Sequence, residues 1–188
     1  AYDLLSYYYE VQKSDFEKAI AYLKKADHIF RTLPNSDGWL AKSYNNSGAV
    51  YMQMGDYKNG IEYIKKSLQQ SIKAYGQKHS AVSAAYTNLG LTYNRLGDYE
   101  TAAENYKNAV DIDIELFGET HPYVINTYLN LGALYQNIGQ YSKALHYTEK
   151  ALALIDKKQA VNDPLAAKLY TTIAIIHQRR KQPEKSIQ

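Results

Sequence analysis

The chain has 188 residues, 45% hydrophobic and 22% charged, with a formal net charge of +3, a composition that supports a large apolar core and excludes disorder. No apolar run reaches the roughly 20 residues that span a bilayer and no secretory leader opens the chain, so a cytoplasmic protein without membrane contact is expected. Cysteine is absent, which removes disulfides, thiol nucleophiles and thiolate metal sites, and so small a positive charge implies no nucleic-acid partner.

In chain order, the first element is AYDLLSYYYE, a helix if Ser6 and Tyr9 take the Gly and Tyr slots of the units that follow. DFEKAIAYLKKA, from Asp15 to Ala26, is its partner helix, with Ala19 and Ala26 as small residues. Three units then recur at a spacing of 42, anchored on Gly48, Gly90 and Gly132. In the second, Tyr86, Leu89, Gly90 and Tyr93 make one helical stripe. A further glycine (Gly55, Gly97, Gly139) ends each first helix, and Asp98 can cap the next one. The second helices carry small residues where they approach the first: Gly60 and Ser67, Ala102 and Ala109, Ala144 and Ala151.

A last unit opens with Tyr170, Ile173, Ala174 and His177 in the slots of Tyr128, Leu131, Gly132 and Tyr135, and KQPEKSIQ begins a further second helix. The expected units are 1–38, 39–80, 81–122 and 123–163, with a truncated fifth at 164–188, all in a single array. Since the pattern is cut at both ends, a fragment of a longer array is expected. The 20 tyrosines, against 3 Phe and 1 Trp, follow the repeat: Tyr44, Tyr51 and Tyr57 recur as Tyr86, Tyr93 and Tyr99 and as Tyr128, Tyr135 and Tyr141. They read as packing residues rather than a stacking platform for bases.

Helices of this length are marginal alone and bury a core only through their neighbours. The expected fold is all-α, a right-handed superhelical solenoid of antiparallel helix pairs with the first helices lining its concave face.

The motif Tyr-x2-Leu-Gly-x2-Tyr, followed by Ala and a second Ala seven later, resembles the tetratricopeptide repeat. The period of 42 exceeds the usual 34 or so; the extra length falls in the second helix and the links AYGQKHS and LFGETHP, as in the repeats of kinesin light chains. Three departures bear on local stability: Ser47 stands for Leu, Gly60 for Ala, and the third link, DKKQAVNDP, is more polar.

A second side of each first helix should face the groove. It reads Lys42, Asn46, Ala49 and Gln53, then Ala84, Asn88, Leu91 and Arg95, then Asn126, Asn130, Ala133 and Asn137, then Lys168, Thr172, Ile175 and Arg179. Asn46, Asn88 and Asn130 recur at the period of 42. A carboxamide offers a donor and an acceptor, the complement of an extended backbone, without a charge to desolvate. The resemblance implies this peptide-holding role for these three residues; the competing reading is a bond to a neighbouring helix or to water. With helices about 10 Å apart and about 3.3 Å per extended residue, each repeat would span about three ligand residues. Lys42, Arg95, Lys168 and Arg179 would favour acidic ligand residues, and Leu91, Leu129 and Ile175 an apolar one.

Other candidates point to no chemistry. His79 and His121 read as helix-start residues rather than a metal pair. His28, His146 and His177 show no partner spacing. Asp111, Asp113, Glu115 and Glu119 read as a solvated outer face rather than a Ca²⁺ loop, and the RRK run from Arg179 as charges favouring a helix C-terminus. No nucleophile–base or paired-carboxylate arrangement is present, so no enzyme activity, cofactor or metal is expected. The carboxylate clamp of chaperone adaptors in this family is missing, with Asn45, Ala49, Asn126 and Asn130 in its slots. The expected function is a non-catalytic scaffold holding a partner's extended segment. The alternatives are a sensor or adaptor domain of a larger enzyme or signalling protein, and an array self-associating through its cut ends.

Overall fold

The computed structural model describes residues 15–155 and 164–181. The expected helix at 1–10, most of the third link and the expected helix after Lys181 lie outside the described residues. Eight α-helices fill the rest: α1 Phe16–Thr32, α2 Asp37–Gln53, α3 Tyr57–Tyr75, α4 Ser80–Leu96, α5 Tyr99–Phe117, α6 Pro122–Asn137, α7 Tyr141–Ala153 and α8 Pro164–Lys181. The chain divides into two compact units, 1–112 and 113–188.

Local chemistry sets the helix ends. The carboxylates of Asp15, Asp56 and Asp98 each accept a backbone N–H three residues on, from Lys18, Asn59 and Thr101 at 3.1, 3.1 and 3.2 Å, satisfying donors that a helix start leaves free. The Asn59 side-chain amide also bonds Asp56, and these bonds hold the Asp56 carboxyl below the usual carboxylate range. Gln140, in the same slot, makes no side-chain cap bond. Gly97 closes α4 in the left-handed conformation, φ 89°, which a side chain would resist.

In the first unit, three contacts define the α2–α3 pair. A Cβ on Gly60 would lie 3.3 Å from Met52, one on Gly48 would lie 2.5 Å from Ile64, and Ser67 bonds Ala41. Contacts that step backward along one helix as they advance along the other make the pair antiparallel. The α4–α5 pair runs the same way, with Gly90 against Tyr106 and Ser83 bonded to Ala109. Second helices also pack against the next first helix: Ile64 of α3 shares a core with Ala85 and Leu89 of α4, and Ala19, Ile20 and Leu23 of α1 share one with Val50 of α2. A fully buried Leu or Ile side chain contributes about 1.5–3 kcal/mol, so each such junction stabilises both helices that meet there. The lengthened second helices are α3 and α5, at 19 residues each.

In the second unit, α6 pairs with α7 through Gly132, where an added Cβ would lie 2.5 Å from the Thr148 hydroxyl. Ile125 and Leu129 of α6, Ala151 and Ile155 near the end of α7, and Ala166 and Leu169 of α8 close a core. Leu129 is thus 9% exposed and packed between helices, which corrects its assignment to the groove.

The packing reading of the tyrosines also needs correction at one place. Tyr44 and Tyr135 are buried and most of the others half-buried, but Tyr99, the first residue of α5, lies on the surface. In α8 the buried residues are Ala166, Leu169 and Ile176, while Tyr170, Ala174 and His177 are exposed. Their counterparts in α6 face a paired second helix; among the described residues none packs on that side of α8.

Candidate functional site

The groove side of each first helix is largely polar, and none of its four residues is buried. In the first unit, α2 presents Lys42 and Gln53 exposed, with Asn46 and Ala49 half-buried between them. On α4, Ala84 and Arg95 are exposed, and Asn88 and Leu91 half-buried. The recurring Asn thus sits midway along its helix, held on its flanks but open to solvent, because residues at i, i+4 and i+7 share a side.

One contact was not legible in the spacing. The Asn88 amide nitrogen donates to Asn45 Oδ1 at 2.7 Å, joining α4 to α2. One turn on, the Thr92 hydroxyl lies 3.0 Å from Met52 Sδ and also bonds the Asn88 carbonyl at 2.7 Å. Asn88 is therefore partly committed to its neighbour, while its Oδ1 and second N–H stay available. Asn46 makes no hydrogen bond among the described residues. Only this repeat carries the Asn45–Asn46 pair, and that doubling was the one sequence signal for the link.

Beside this face a cavity of about 710 Å³ opens between the start of α2, the end of α3 and the start of α4, lined among others by Trp39, Lys42, Asn45, Ser71, Tyr75 and Ala84. Trp39 is 58% exposed and stacks on Phe30 at 6.1 Å. Lys73 and Asp37, also lining the cavity, pair at 2.9 Å. Trp39, Ser71 and Tyr75 were missed in the sequence because they meet only through packing.

In the second unit the face consists of Asn126, Ala133 and Asn137, exposed on α6 around a half-buried Asn130, and of Lys168, Ile175 and Arg179, exposed on α8 around a half-buried Thr172. Asn126 and Asn130 make no hydrogen bond among the described residues.

The other candidates resolve into structure. His79 and His121 cap α4 and α6, each Nδ1 accepting a backbone N–H two residues on, from Ala81 at 3.1 Å and Tyr123 at 3.3 Å. Asp113 is 3% exposed, so the expected acidic outer face is broken there, with Asp111, Glu115 and Glu119 at the surface. Among the described residues no three His, Asp or Glu gather as a metal site, and no helix is long and apolar enough to cross a membrane.

The tetratricopeptide repeat family matches residues 39–113 and 82–157. No curated protein sequence matches the chain significantly. Among solved structures, BtubC (BKLC) from P. vanneervenii is similar with a TM-score of 0.85 at 22% identity, over 95% of this chain and 71% of that one. A putative kinesin light chain from Podosopora anserina with nearly identical TPR-like repeats gives 0.79 at 20% identity, over 95% and 84%. The apo form of RapI gives 0.80 at 20% identity, over 96% of this chain and 49% of that one. At such identities the likeness is one of fold.

Proposed function

The chain belongs to the tetratricopeptide repeat family, and from that premise we propose that it is a non-catalytic scaffold whose first-helix face holds an extended segment of a partner protein. The fold is generally an interaction scaffold. The observation that carries the finer reading is the half-buried amide series: Asn46 and Asn130 are exposed enough to reach a ligand and have no bonding partner among the described residues. Each repeat would then hold about three residues of an extended chain, and the units 39–80, 81–122 and 123–163 are the functional steps.

Lys42 and Arg95 in the first unit, and Lys168 and Arg179 in the second, are exposed cations, each on the side of its own helix that carries the groove slots, and would favour an acidic partner segment. Leu91, half-buried beside Asn88, offers the apolar contact that Leu129 does not. Asn126 and Asn137 supply further amides.

The test begins with capture of a partner on the immobilised protein and mapping of its bound segment on a peptide array. Replacing Asn46, Asn88 and Asn130 together by Ala should then weaken that segment about tenfold or more, as loss of several backbone hydrogen bonds requires. Unchanged affinity in a variant that stays folded, with intact helical content, would rule the reading out.

A further inference from the structure

The turn between α5 and α6 carries a feature outside the recurring amide series. Phe117, His121 and Tyr123 form a closed ring triad: His121 stacks on Phe117 at 4.5 Å, and Tyr123 stands edge-on to both, at 5.6 and 4.7 Å. The triad is held rigid, because His121 Nδ1 also caps the Tyr123 N–H and Gly118 turns the chain at φ 84°. Yet it is open: Phe117 is 41% exposed, Tyr123 52% and the adjoining Leu116 37%.

The preceding link isolates what is special here. At its matching positions Tyr75 stacks on His79 at 4.1 Å and His79 caps Ala81, so the stacked pair and the cap suffice for the turn. Tyr123 takes the place of Ala81 and adds a third ring that helix closure does not require. The charge reverses as well: Lys73 and Gln77 of the first link become Glu115 and Glu119, both exposed. From Asn108 to Ser142 the chain has four carboxylates and no Lys or Arg.

We propose that this corner, one helical turn before Asn126 at the start of α6, is a second docking surface whose occupant is an arginine side chain of a basic segment in a partner protein. A guanidinium is planar and weakly hydrated, so it can lie on an aromatic face and still reach a carboxylate. Rings already fixed lose little freedom when it binds, and the exposed carboxylates of Glu115 and Glu119 draw a cation and repel an acidic segment.

The experiment is a heteronuclear NMR titration of the protein with an N-acetylated, C-amidated Gly-Arg-Gly peptide, following the ring signals of Phe117, His121 and Tyr123. Saturating shifts are expected there and not at the Tyr75–His79 corner, with binding weakened about threefold or more by Tyr123→Ala, by Glu119→Gln, or by a Gly-Lys-Gly peptide. Glu119→Gln preserves size at an exposed position and guards against a folding artefact, while Asn46→Ala in the groove should leave the titration unchanged. Equal response at the Tyr75–His79 corner, equal binding of the lysine peptide, or no saturating shift would overturn the proposal.

Discussion

The hydroxyl of Ser67, on α3, donates a 2.8 Å hydrogen bond to the backbone carbonyl of Ala41, on α2. One repeat later the same two slots are occupied in reverse, with Ser83 on α4 donating to the carbonyl of Ala109 on α5 at 3.3 Å. The hydroxyl can come from either helix because both slots lie where the pair is closest and only small residues fit.

Ser67→Ala should therefore cost about 1 kcal/mol, the usual net value of a buried hydrogen bond, and Ser83→Ala less, its bond being longer. Ser47→Ala should be neutral or stabilising, since the buried Ser47 hydroxyl has no partner among the described residues. Urea unfolding of the three variants checks the order.

Close approach also ranks the glycines. A Cβ at Gly90 would lie 2.7 Å from the ring of Tyr106, which is wholly buried. Gly90→Ala should cost about 1–3 kcal/mol, the range for overpacking, with a fall in melting temperature. Gly55→Ala meets no neighbouring atom within 4 Å, and its cost should come from the left-handed backbone alone, φ 78°.

Tyr106 predicts an alkaline effect. Its hydroxyl is buried without a partner among the described residues, and burial pushes the phenol well above its ordinary value. A group with a raised folded-state value contributes its full stability below the unfolded value, about 10 for Tyr. That contribution is lost as pH rises from there towards the folded value. Tyr106→Phe should leave stability at neutral pH unchanged or improved and flatten the decline above pH about 10, measured by denaturant unfolding across that range.

The Asn45–Asn88 bond separates scaffold from site. A double-mutant cycle with Asn45→Ala and Asn88→Ala should show coupling of about 0.5–1.5 kcal/mol in stability. Asn46→Ala should leave stability unaltered and lower affinity for the mapped partner segment. Absence of coupling would remove the structural role assigned to Asn88.

The helix pairs, their ends and their small-residue contacts were legible in the chain, because they follow from short-range rules. Asp and Gly punctuate helices locally, and a repeat of 42 forces the same stripe to recur. The amide series was legible for the same reason: helical spacing alone places Asn46, Asn88 and Asn130 on one side of their helices.

What only the tertiary structure decided depends on which neighbour a residue meets. Leu129 was expected to offer the groove an apolar contact, yet it closes a core with Ala166 and Leu169 across a link whose length a periodic pattern does not encode. Asn88 found Asn45 rather than another member of its own series. His121 and Tyr123 gained a shared partner in Phe117 where the chain turns back. A period reports which side of a helix a residue occupies. Packing distance, set by the bulk of the residues between helices, decides what stands opposite.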